Sequence, residues 1–157
     1  MSILVVYFSA SGVTARAAKR IALQLQAPLF EIQPKIPYTS ADLNWMDANS
    51  RTSLEVKTSN VPVEIAQWPD LTGITTLFIG FPVWWYSAPK IIDSFLAGLS
   101  LKNISIVPFC TSGGTSIQGC EKKLKEAFPQ VTWLPGLRIS SSTTDAQLQS
   151  WINSLHI

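Results

Sequence analysis

Ionisable side chains are scarce in this chain, and the scarcity narrows its chemistry before any motif is read. Of 157 residues only 14% are charged, and the single histidine, His156, stands next to last. A Ser-His-acid triad would have to take its base from that position, where a chain frays, which weighs against hydrolysis. The two cysteines, Cys110 and Cys120, fit neither a CxxC redox pair nor zinc-ligand spacing. Cys120 falls on the apolar stripe of a predicted helix, and both read as reduced, structural thiols. No grouping of His, Cys and carboxylates suggests a metal. Twelve basic against ten acidic residues leave +2, too small a charge to predict a nucleic-acid or membrane partner. Arg16, Lys19 and Arg20, like Lys122, Lys123 and Lys125, recur at helix-surface spacing and read as solvated faces. No apolar run is long enough to span a bilayer, and the first residues run into a strand pattern with no cleavage-site signature. The expectation is a soluble, cytoplasmic protein.

The common phosphate motifs are missing too. GxGxxG is absent. The nearest approach to a P-loop, Gly114-Thr115-Ser116-Ile117-Gln118-Gly119-Cys120, has cysteine where the phosphate-binding lysine must stand. A phosphatase built on an α/β sheet would need arginine six positions after its cysteine, but Cys110 leads to Ser116 and Cys120 to Glu126.

What is present is 46% hydrophobic composition, ample for one core, arranged as alternating strand and helix signals. Ile3 to Phe8 is an apolar run of the kind found in strands covered on both faces, followed by Val13, Ala17, Ile21 and Leu25 at helical spacing. Leu29 to Ile32 reads as a short second strand. Between Gln33 and Thr72 the pattern is least legible, with prolines at 34, 37, 62 and 69 bracketing an expected helix from about Ala41 to Leu54. Leu77 to Phe81 and Ile104 to Phe109 are the next strands, each with an apolar-striped helix behind it. Val131 to Ile139, interrupted by Pro135-Gly136, gives a fifth strand with a bulge or edge position. Thr144-Asp145-Ala146-Gln147 opens the last helix as a capping box. The pattern predicts one α/β domain over 1–157, with a five-stranded parallel sheet sandwiched between helices.

In such sheets ligands gather at the carboxyl ends of the strands, and three loops there are unusual. Ser9-Ala10-Ser11-Gly12-Val13-Thr14 sets hydroxyls and a glycine at a helix N-terminus, where free amides and the dipole favour an anion such as a phosphate monoester. The competing reading is that one hydroxyl caps the helix and the others are loop decoration. Pro82-Val83-Trp84-Trp85-Tyr86 places three large aromatics in a row, too many to point inward together. A flat conjugated ligand would bury one of them, unless they pack beneath the loop or against a second copy. Thr111-Ser112-Gly113-Gly114 offers hydroxyls and amides to a polar ring edge, or is simply a flexible turn.

Taken in order, SASGVTARAA, IGFPVWWYSAPK and CTSGGTSIQGC, together with FEIQPKIPYTSADL, resemble the flavodoxins, in particular a short branch whose second loop reads PxWW. The resemblance covers nearly the whole chain. It implies a flavodoxin-like three-layer sandwich of strand order 2-1-3-4-5 and noncovalently bound FMN. By position, Ser9, Ser11, Gly12, Val13 and Thr14 would hold the phosphate with neutral donors. Pro82, Val83, Trp84, Trp85 and Tyr86 would line the isoalloxazine, and Thr111, Ser112, Gly113 and Gly114 would meet its pyrimidine side. The flavin would carry the redox chemistry, with no side chain acting as acid, base or nucleophile. Electron-shuttling flavodoxins are strongly acidic around the flavin edge, whereas the three loops here contain no carboxylate. Three functions stay open: an electron carrier with redox partner proteins, a reductase using NAD(P)H and a flavin or quinone, and a non-redox binding module. A monomer and a homodimer are both compatible with the spacing of the tryptophans.

Overall fold

The computed structural model describes residues 2–58 and 62–157. Strand β1 (Ser2–Tyr7) turns alternate side chains to opposite faces: Leu4, Val6 and the following Phe8 enter one buried cluster, Val5 and Tyr7 another. That alternation explains why the run has no polar face, since helices cover both sides. On the Val5 side lie α1 (Val13–Leu25) and α5 (Asp145–Ser154), burying Ala18, Ile21, Leu148 and Trp151. On the Leu4 side lie α3 (Lys90–Ala97) and α4 (Gln118–Ala127), burying Ile91, Phe95, Cys120 and Leu124. Phe78, Phe81, Phe95 and Phe109 are wholly buried, each contributing about 1.5–3 kcal/mol of transfer free energy.

The remaining strands are β2 (Leu29–Glu31), β3 (Ile74–Pro82), β4 (Ser105–Thr111), β5 (Thr132–Trp133) and β6 (Leu137–Ile139). They run in the order β2-β1-β3-β4-β5, with β6 also on β4, and every pair is parallel. This is the sandwich and the strand order that the resemblance implies. Because β1, β3 and β4 are parallel neighbours, the three loops that follow them emerge at one edge.

Two sequence expectations need correction. The fifth strand is two short strands rather than one bulged strand. Leu134 N–H donates to Ile106 O at 2.8 Å, so two residues on, Pro108 turns toward the same neighbour and has no N–H to complete the ladder. The chain detours there at Pro135-Gly136, so close that a Cβ on Gly136 would meet the Pro108 carbonyl at 2.5 Å. The helix expected from Ala41 to Leu54 is instead α2, Arg51–Lys57, capped by Ser50. Upstream, Asp42 accepts from Thr39 N–H at 2.9 Å, Asn44 from Met46 N–H at 3.1 Å and Asp47 from Asn49 N–H at 2.9 Å. These local bonds hold the backbone in turns and compete with helix until Ser50.

Candidate functional site

Gly12 is the N-cap of α1 and sits at φ +94°, in the left-handed region that glycine enters without steric cost. No side chain caps α1 and no acidic residue stands in its first turn. Its leading amides, at the positive end of the dipole, therefore have no built-in acceptor. Ser9 Oγ accepts from Gly12 N–H at 3.0 Å, drawing the loop closed, while Ser11 and Val13 are exposed. Thr14 behaves differently. It is buried, with Oγ1 at 2.7 Å from Thr111 Oγ1, a bond that ties the first loop to the end of β4. Whichever hydroxyl accepts keeps its own proton for a further partner. Arg16, which spacing alone puts on a solvated face, folds back over the loop: its Nη1 would be 3.6 Å from a Cβ on Gly12. Arg20, by contrast, is held by Asp145 at 3.0 Å and the Thr143 carbonyl at 2.6 Å.

Beyond Pro82 the backbone closes a tight hairpin. Trp84 and Ser87 exchange two hydrogen bonds, of 2.9 and 3.0 Å. Between them Trp85 has φ +48° and Tyr86 φ +62°. Positive φ at both central residues is the mark of a type I′ turn, which Asn-Gly favours. Bulky side chains there cost of order 1–3 kcal/mol apiece. The strain displays Trp85 and Tyr86 at the surface, Tyr86 with 73% exposure. Trp84 turns inward, edge-on to Phe8 at 5.6 Å and to Tyr38 at 5.8 Å. Of the three aromatics, one packs and two are presented.

Tyr38 belongs to the excursion between β2 and β3. Its hydroxyl donates to Glu55 at 2.6 Å, and the Arg51 guanidinium lies 3.9 Å from its ring centre. Burial, and then Glu55, hold its phenol protonated far above the ordinary tyrosine range. Arg51 also donates to Glu55 at 3.1 Å and to the Ile36 carbonyl at 2.7 Å. The knot fixes the excursion against Trp84.

In the third loop, Ser112 is fully engaged on its inner side. Its hydroxyl donates to Thr115 O at 2.6 Å and accepts from Arg138 Nε at 2.9 Å, while its carbonyl accepts from Arg138 Nη2 at 2.9 Å. Gly113 and Gly114 are exposed, a Cβ on either would meet nothing within 4 Å, and their amides have no partner among the described residues.

A cavity of about 310 Å³ joins Val83, Trp84, Trp85 and Tyr86 to Thr115, with Leu43, Trp45 and Thr52 as its far wall. A second, of about 400 Å³, lies beside Ser9, Phe8, Tyr38 and Glu31. The Phe8–Tyr38–Trp84 cluster stands between them. Ser11, Gly12, Val13, Thr14, Pro82, Thr111, Ser112, Gly113 and Gly114 line neither cavity: Thr14 and Thr111 are buried, while Ser11, Val13, Gly113 and Gly114 are exposed. Sequence reasoning missed Trp45, Arg16 and Arg138 as site residues. A tryptophan amid turn-forming Asx residues, with no apolar period around it, was a usable signal for Trp45, whereas nothing near Arg138 in sequence points to Ser112. Cys110 and Cys120 are both buried. Burial pushes the Cys110 thiol up to about 12 and the Cys120 thiol up to about 11, which agrees with structural rather than reactive roles.

An uncapped helix N-terminus opened by a left-handed glycine, a displayed aromatic pair and a rim of free amides suit a phosphate-bearing, flat, hydrogen-bonding ligand. On a doubly wound parallel sheet, these features stand at the carboxyl ends of the strands, where such folds place their ligands, and the class is that of the flavodoxin-like flavoprotein fold. The profile of the flavodoxin family matches residues 2–155, and the chain belongs to that family. A candidate flavoprotein from Bacteroides eggerthii is 38% identical, with a TM-score of 0.96 over 99% of this chain and 98% of that one. Another, from Bacteroides uniformis, is 38% identical with a TM-score of 0.91, covering 97% of each chain. A Lactobacillus acidophilus flavoprotein, solved in complex with FMN, shares the fold at 18% identity and a TM-score of 0.75, over 96% of this chain and 98% of that one. A comparison with curated proteins gives no match. Among the described residues, no helix is long and apolar enough to cross a membrane.

Proposed function

We propose that this protein binds FMN noncovalently and serves in electron transfer. The single observation that carries the reading is the first loop, where α1 opens with a left-handed glycine and no cap of its own. Its first amides and the Ser9, Ser11 and Thr14 hydroxyls would hold the phosphate, with Gly12 and Val13 giving backbone access. Pro82 to Tyr86 would line the ring, Trp85 and Tyr86 supplying aromatic faces. Thr111 to Gly114 would offer the polar rim, the outward amides of Gly113 and Gly114 donating. The bound flavin would supply one- and two-electron chemistry that no side chain here possesses. Fluorescence titration of free FMN with the apoprotein, run beside riboflavin, tests the assignment. Strong quenching of FMN with weak quenching of riboflavin is expected; equal affinity for the two refutes a phosphate grip by the first loop.

A second reading, a reductase using NAD(P)H and a quinone-type acceptor, is supported by the 310 Å³ cavity beside the aromatic turn and by the lack of carboxylates in the three loops. Basic redox proteins would find little electrostatic steering at such a rim. Mixing the FMN-loaded protein anaerobically with reduced nicotinamide separates the two: fast bleaching marks a reductase, a slow response a carrier fed by another protein.

A further inference from the structure

Arg138 lies on β6, outside the three loops, yet it reaches Ser112 with two nitrogens. One bond goes to the hydroxyl and one to the carbonyl, both neutral acceptors. Among the described residues Arg138 has no ion-pair partner within 4.0 Å, so its charge is not cancelled by direct contact. The acceptor carbonyl belongs to the Ser112–Gly113 peptide. Since no peptide in the described chain is cis, the Gly113 N–H points opposite to that carbonyl, away from Arg138. A guanidinium bound at the oxygen end polarises the whole unit and strengthens the N–H at the other end as a donor. The loop thus carries positive potential from β6 to its exposed face, through a peptide whose carbonyl is pinned inward.

We propose that Arg138 is a positioning residue which, through the Ser112–Gly113 peptide, makes the site favour the reduced, negatively charged flavin over the oxidised, neutral ring. This rests on the FMN reading above and extends it to what sets the reduction potential. A hydride donor such as a reduced nicotinamide delivers two electrons and one proton together, so its oxidised form departs as a cation and the neutral ring gains one negative charge. A fixed cation behind the polar rim attracts that new charge and is nearly indifferent to the oxidised ring. An opposing charge is Glu121, which accepts from Gly136 N–H at 3.2 Å. It and Arg138 act with opposite sign on the Cys110 thiol that both approach.

The test measures the midpoint potential of bound FMN, and the dissociation constants of its two redox forms, in wild type, Arg138→Gln, Arg138→Lys and Glu121→Gln. Neutralising Arg138 is expected to weaken binding of reduced FMN about tenfold more than that of oxidised FMN, which for a two-electron couple lowers the potential by about 30 mV. Arg138→Lys keeps the charge and loses the fork, so it should weaken both forms alike and leave the potential near that of wild type. Glu121→Gln should raise the potential, by less, and it carries the test if Arg138→Gln does not fold. Equal loss of both redox forms in Arg138→Gln, or an unmoved or lowered potential in Glu121→Gln, overturns the proposal while leaving FMN binding intact. Wild type that binds no FMN overturns both readings together.

Discussion

The loop after β1 and the hairpin after β3 both place backbone in the left-handed region, and they do it with opposite residues. At Gly12 the chain uses the one residue that reaches φ +94° freely. At Trp85 and Tyr86 it uses two of the bulkiest, where Asn-Gly would sit without strain. On the proposed FMN reading, the difference follows from what each place would contribute. A phosphate needs amides brought close, and any side chain at Gly12 would stand in the way. A flat ring needs aromatic faces, which only side chains can supply, so the strain at the turn is retained rather than relieved. Folding stability and ligand affinity should therefore run together at the first loop and against each other at the second.

Gly12→Leu should break the first side of that comparison with the largest effect. A Cβ at φ +94° is strained, and the new side chain competes with the Arg16 guanidinium for the space over the loop. We expect a stability loss of about 1–2 kcal/mol and a fall in FMN affinity of about a hundredfold, comparable with losing one or two charge-assisted bonds of about 1.5–3 kcal/mol each. Riboflavin affinity should stay nearly constant; a parallel fall for riboflavin would place the damage in the fold. Tyr86→Gly reverses the sign. The ring is 73% exposed, so little packing is lost, and relief of strain should raise stability by about 1 kcal/mol. Loss of its aromatic face should weaken FMN about fivefold to tenfold. Thermal melts of the apoprotein beside flavin titrations read both quantities, and a variant that gains in both would show that the turn is not held for its side chain.

How much of this was legible depended on whether the relevant partners were near in sequence. Strand β1 and helix α1 follow from a run of residues whose apolar period changes from 2 to 3.6, and the three loops follow from where such runs stop. The excursion from 33 to 72 defied that method because short Asx bonds, not periodicity, hold its backbone. Arg51 and Glu55 are one turn apart on α2, but Tyr38, 17 positions before Glu55, reaches them only through the excursion's own turns. The strained turn was hidden in another way: three consecutive aromatics suggested a ligand face, but Trp and Tyr are the wrong residues for the turn that Trp85 and Tyr86 form. Arg138 was out of reach because its partner Ser112 is 26 positions away and meets it only through the register of β4 with β6.

The hairpin also has a support that the first loop lacks, and this gives the smallest expected effect. Cys120 donates its thiol hydrogen to the Tyr86 carbonyl at 3.8 Å, joining the strained turn to α4. A thiolate has no hydrogen to give, so the contact requires the neutral form. Burial is the main cause raising this thiol from 9.0 to about 11. The folded state therefore holds the proton more tightly than the unfolded chain does. Its contribution is complete below pH 9.0 and is lost as the pH rises from 9.0 to about 11. Comparing wild type with Cys120→Ala across that range isolates the term, since the alanine variant has no such proton to lose. The wild-type melting temperature should fall more steeply than that of the variant above pH 9, and native-state alkylation of Cys120 at pH 8 should be slow beside that of a free thiol. If both proteins fall in parallel, the thiol merely fills space under the turn, and the strain at Trp85 and Tyr86 is held by the Trp84–Ser87 backbone pair and the Ser87 hydroxyl that donates to the Trp84 carbonyl.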